Sequence, residues 1–153
     1  VDVTWIPDMD KGSFCDEGDH LRAIGWLHPD HPFPRGTVPE AFLVRLREFE
    51  RLVYESMEVL NWRGGLGDHE CEFCPPSETR PDGLVLGAVW GHGQFGVPHG
   101  DILFGAPPMI VHYVEAHQYQ PPQEFVTAVL ASPLPDSAEY RDAIQRYLPR
   151  PRP

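Results

Sequence analysis

Lysine is almost missing from this chain: of twelve basic residues only Lys11 is a lysine, and 23 Asp and Glu bring the formal net charge to −11. A nucleic-acid binder normally shows a basic face whose phosphate contacts release counterions, so this balance disfavours DNA or RNA as a partner. An anionic membrane repels the same charge. Long hydrophobic runs are missing too. No stretch nears the roughly 20 apolar residues that span a bilayer, and no apolar leader opens the chain. Cysteine is scarce, and Cys15, Cys71 and Cys74 cannot make a closed set of disulfides; a reducing, cytoplasmic setting is the expectation. WGHGQFG, residues 90–96, has three glycines but no following Lys-Ser/Thr, so it is no phosphate loop. No serine sits in a nucleophile elbow.

Proline, by contrast, is abundant. The 18 prolines in 153 residues stand far above the usual share of about 5%. Much of the chain is therefore expected as rigid connection rather than long helix or central strand. The length fits one domain able to bury about two-thirds of its unfolded surface, so a bound metal would assist a core, not replace one. An acidic surface fits high solubility, a basic partner or a cationic ligand.

Hydrophobic spacing gives an organisation. Residues 1–18 read as an irregular segment docked by Val3, Trp5, Ile6 and Phe14, residues 19–148 as a single α+β domain, and 149–153 as a Pro/Arg tail. LRAIGWL, 21–27, reads as a short strand that runs into HPDHPFPRG, whose three prolines predict a stiff ordered loop. Thr37 and Glu40 have capping-box spacing, and Phe42, Leu46, Phe49, Val53 and Leu60 predict a helix from Val38 to about Met57. LVLGAVW, 84–90, reads as a strand. GQFGV and DILFGA read as a hairpin turning at Pro98–Gly100. Further helices are expected from Pro107 to His117, after Pro121-Pro122, and from an Asp136 cap to about Tyr147. Helices and antiparallel strands in separate blocks point to a small antiparallel sheet with about four helices.

Chemistry concentrates in GDHECEFCPP, 67–76, which holds His69, Cys71 and Cys74 among three carboxylates. A Cys-x-x-Cys turn converges two thiolates on one soft tetrahedral cation, with zinc the usual occupant at about 2.3 Å. That is half a site. His112 and His117, an H-x4-H pair in the order and spacing of Cys2His2 sites, are the strongest candidates for the other half. Side chains at i and i+5 on a regular helix point about 140° apart, so shared ligation predicts fraying or tightening near His117. His69 competes as a ligand, as do Cys15 and His99. A redox role is weaker, because Asp68, Glu70 and Glu72 raise a thiol pKa and favour a bound cation instead. His28, Asp30 and His31 are better explained by a proline-fixed turn than by a second metal site. Glu115 and Glu124 read as solvated carboxylates rather than general bases.

GWLHPDHPFPRG, HECEFC and APPMIVHYVEAHQYQPPQEF together resemble a family of small, uncharacterised bacterial proteins, the likeness running from Gly25 to Phe125. The resemblance implies that His69, Cys71, Cys74, His112 and His117 are family positions, which favours a shared site. It leaves Cys15 outside and implies no activity. Three functions compete on the residues alone: an acidic interaction module with a structural zinc, an enzyme with three protein ligands and a zinc-bound water, and an acidic immunity-type inhibitor of a basic protein. The module is preferred, since two thiolates quench the Lewis acidity of the ion and four ligands leave no place for substrate.

Overall fold

Phe42, Leu46 and Phe49 recur at helical spacing in a stretch without proline, and they form the inner stripe of α1, Glu40–Glu55. All three are fully buried. In this computed structural model, which describes residues 5–11, 20–55, 68–74, 78–79, 85–86, 90–92 and 94–147, the helix opens just after Pro39. The Pro39 carbonyl accepts the Phe42 and Leu43 N–H groups at 3.1 and 3.3 Å. The expected continuation to Met57 lies outside the described residues.

A three-stranded sheet joins β1, Leu21–Ala23, β7, Ile102–Ala106, and β6, Phe95–His99, in that order. β6 and β7 pair antiparallel. The hairpin turns at Gly100-Asp101, one step beyond the expected Pro98–Gly100, and Pro98 stands in the strand opposite Leu103. Its missing N–H is tolerated because β6 is an edge of this sheet. β1 joins the other side of β7 in parallel, Leu21 opposite Leu103. Its pairing stops short of the expected residue 27 because Gly25 takes φ +78, and a Cβ there would meet Ile110 Cδ1 at 2.8 Å. Only glycine allows the chain to bend so close to a helix.

Four shorter strands make two antiparallel pairs: β2, Asp68–Glu70, with β5, Trp90–His92, and β3, Glu78–Thr79, with β4, Val85–Leu86. The strand expected over 84–90 is thus divided between two pairs, with 87–89 outside the described residues.

Three more helices follow: α2, Ile110–His117, α3, Gln123–Ala131, and α4, Ala138–Gln145. The residue that caps α4 is Ser137, not Asp136; its Oγ accepts the Tyr140 N–H at 3.1 Å and donates to the Leu134 carbonyl at 2.6 Å. Ser137→Ala should cost about 1 kcal/mol, read as a fall of a few degrees in melting temperature. An unchanged melt would show that the cap is dispensable.

Aromatic rings join these layers. Phe125 of α3 lies 6.0 Å from Phe42 of α1 and 5.6 Å from Phe104 of β7, centroid to centroid, and Phe49 stacks on Phe95 at 5.1 Å. The Tyr140 hydroxyl donates to the Gly96 carbonyl at 2.6 Å and ties α4 to β6. Trp26 Nε1 donates to the Gly105 carbonyl at 3.1 Å, so its buried N–H is satisfied.

The N-terminal segment 5–11 runs along residues 23–26, with Ile6 N donating to Trp26 O and Met9 N to Ala23 O. Asp8 is its anchor, accepting from Gly25 N at 3.0 Å and from the Tyr119 hydroxyl at 2.6 Å. Burial raises the Asp8 pKa, and those two bonds oppose the rise. Val3 and Phe14, also expected to dock, lie outside the described residues. The architecture of the described residues is α+β, four helices with a small sheet, and no described helix is long and apolar enough to cross a membrane.

Candidate metal centre

Cys71 follows directly on β2, and its carbonyl accepts the Cys74 N–H at 3.3 Å, which bends Cys-x-x-Cys into a tight turn. Cys71 is buried and Cys74 half-buried. Burial raises the Cys71 thiol pKa, while the Phe73 N–H lowers it by hydrogen bonding to the sulfur. An isolated thiol here keeps its proton at neutral pH.

His112 and His117 come from α2, whose C-terminal turn is unusual. Gln118 sits in the left-handed region at φ 59, and its N–H bonds to Tyr113 O, five residues back. Tyr119 N donates to the same carbonyl at 3.1 Å. The helix end therefore closes with a π-type bond, a widening where fraying or tightening was expected. Left-handed glutamine is strained, and the proline loop holds it: Gly36 N donates to Gln118 O at 3.0 Å and Gln120 N to Pro34 O at 2.9 Å. Arg35 and Tyr119 form an antiparallel bridge between them.

Four atoms converge at this helix end. Cys74 Sγ lies 3.2 Å from His112 Nε2 and 3.6 Å from His117 Nε2; Cys71 Sγ lies 3.4 Å from His117 Nε2, and the two Nε2 atoms are 3.2 Å apart. All four donors fall within 4.8 Å of one another. A tetrahedron with bonds of about 2.0 Å to nitrogen and 2.3 Å to sulfur has N···N edges of about 3.3 Å and N···S edges of about 3.5 Å. The observed edges match. The donor set, two sulfurs and two imidazole nitrogens, is able to coordinate a metal ion.

Electrostatics prepares the imidazoles for the role. The His112 pKa is lowered first by burial and then by His117, with Glu115 opposing; that of His117 is lowered by burial and then by Arg35. Both rings are thus neutral at pH 7, the form that ligates.

Surrounding side chains fix the turn. His28 Nε2 lies 2.8 Å from Glu72 Oε2, between the two cysteines. His28 Nδ1 accepts the Asp30 N–H at 3.1 Å. Phe73 packs against Tyr113 at 5.8 Å, His117 at 5.2 Å and Phe33 at 5.4 Å.

A family described as Domain of unknown function (DUF7919) matches residues 4–130. The chain belongs to this family. The DUF7919 match takes in Cys71, Cys74, His112 and His117 and ends before α4. No curated protein and no solved structure matches the chain.

Among the described residues no other sequence candidate joins these four. His69 lies on β2 opposite Gly91, two residues before Cys71; its side chain, like that of His92, lies outside the described ones. His99 is exposed at the end of β6. Cys15 lies outside the described residues. Glu115 accepts from Arg47 Nε of α1 at 2.8 Å, so it is an ion-paired carboxylate. Glu124 is exposed in the first turn of α3. What the sequence reading missed is the role of the proline loop: its stiffness was legible, but its placement along residues 118–120 was not.

Proposed function

We propose that Cys71, Cys74, His112 and His117 hold one structural zinc ion, and that the chain is an acidic interaction module. The observation that carries this reading is the set of four donor atoms, all within 4.8 Å of one another, with four of their six separations matching the edges of one tetrahedron. Zinc suits two thiolates with two imidazoles better than a hard cation does. Four protein donors fill its shell and leave no position for an activated water. His69 then has no place among the ligands. The ion cancels the charge of two thiolates and clips the 71–74 turn to the end of α2, across separations of 38 to 46 residues. With a net charge of −11, a macromolecular partner of the module is a basic protein, and its association slows as salt is added.

Proton release tests the ligand set. His112 and His117 are neutral before the ion arrives, whereas Cys71, its pKa raised by burial, must give up a proton. Zinc binding at pH 7 should therefore release protons, Cys71 among the sources, so affinity falls as pH drops. Calorimetric titration of chelator-stripped chain in buffers of different ionisation enthalpy reads the number released. Release of none would remove the thiolates from the site.

A further inference from the structure

Phe73, which packs on His117, also helps enclose a second feature. With Pro29, His31, Pro32, Phe33 and Arg35 it lines a cleft of about 290 Å³. Proline fixes the backbone of two of these positions. The Phe33 and Phe73 rings meet edge to face at 5.4 Å, and His31 is stacked on Trp5 at 3.6 Å. The walls therefore combine ring and proline surface with the polar edges of His31 and Arg35, and the rings are held from behind, so little ordering is required when a ligand enters.

One cation stands in this wall. The Arg35 guanidinium lies 4.9 Å above the Phe33 ring and pairs with no carboxylate among the described residues, in a chain carrying 23 Asp and Glu. A guanidinium held flat on a ring keeps its edge donors available, and their fork matches a carboxylate. Backbone pairing of Arg35 with Tyr119 fixes where the side chain starts. The cleft is near the lower end of the 300–1,000 Å³ usual for ligand sites, enough for one ring and its acid group. A polyphosphate asks for several cations, and a cationic ligand meets Arg35 unfavourably. The overall negative charge opposes an anion only weakly at this range, since exposed charges are screened beyond about 8 Å.

We infer that the cleft between the proline loop and Phe73 binds a small aromatic monocarboxylate, with Arg35 gripping the acid group and Phe33 and Phe73 flanking the ring. The site does not require the ion to take part. Because Phe73 touches His117, an occupant would be felt at the metal centre.

Benzoate is the probe, titrated into the zinc-loaded full chain and followed by amide chemical shifts, with zinc content measured on the same samples. Saturation with Kd on the order of 1 mM is expected for a ligand of this size. Neutral benzamide should bind at least about tenfold more weakly, as loss of a charge-assisted pair implies. Arg35→Gln should weaken benzoate by a similar factor in zinc-loaded samples, and Arg35→Lys should restore only part of it. No saturation by benzoate in zinc-loaded protein would overturn the inference. So would equal binding of benzoate and benzamide, or undiminished binding to Arg35→Gln. Inorganic phosphate binding as tightly as benzoate would also overturn it, since the aromatic walls would then contribute nothing. Absence of zinc from the starting protein would instead count against the metal reading and leave the benzoate arms readable.

Discussion

Cys74→Ser should retain less than about a tenth of an equivalent of zinc and melt roughly 10 °C below the parent chain. The sulfur of Cys74 faces both histidines, at 3.2 and 3.6 Å, so its loss removes one vertex of the tetrahedron. Cys74 is also the cleaner position to test, because Cys71 is 5% exposed and serine there would bury a hydroxyl as well as lose a ligand. Metal affinity adds to folding free energy where the unfolded chain lacks the site. A loss of several kcal/mol corresponds to about 2–4 °C per kcal/mol in a chain of this length. Chelator should bring the parent chain down to the melt of Cys74→Ser and leave the variant unmoved. Equal melts of the two proteins in zinc would contradict a structural role.

Phe125→Ala should produce a comparable fall in melting temperature while leaving the zinc in place. The ring is fully buried and meets Phe42 and Phe104 at 6.0 and 5.6 Å, so it joins two helices to the sheet. Truncating a buried phenylalanine costs about 3–5 kcal/mol, the spread depending on how far the cavity collapses. The pair of variants separates two sources of stability: one loses metal and keeps the core, the other keeps metal and loses core. If Phe125→Ala also sheds its zinc, the metal centre depends on core packing rather than adding to it.

Local signals carried much of this account. Phe42, Leu46 and Phe49 marked α1 by spacing alone, and Cys71, Cys74, His112 and His117 stood out because metal ligands belong to a short list of residue types at short spacings. Less legible was everything set by distant parts of the chain. The parallel pairing of β1 with β7 joins segments some eighty residues apart, and no local pattern encodes it. The stop of β1 depends on Ile110, which crowds Gly25. Ser137 and Asp136 are both good caps, and the choice follows from which oxygen reaches the Tyr140 N–H. At His117 the 140° offset was readable from helix geometry. The π-type closure that accompanies its convergence is supported by Gly36 and Pro34, far upstream. The contact of His28 with Glu72 and the cleft at Arg35 have the same origin: the proline loop lies beside the cysteine turn and the end of α2.

X-ray absorption at the zinc edge, on protein purified without chelator and assayed for metal, is the most direct measurement of the central claim. Close to one zinc per chain is expected, with two sulfur neighbours at about 2.3 Å and two nitrogen neighbours at about 2.0 Å. A fully folded chain without metal, or a zinc shell lacking sulfur, would contradict it.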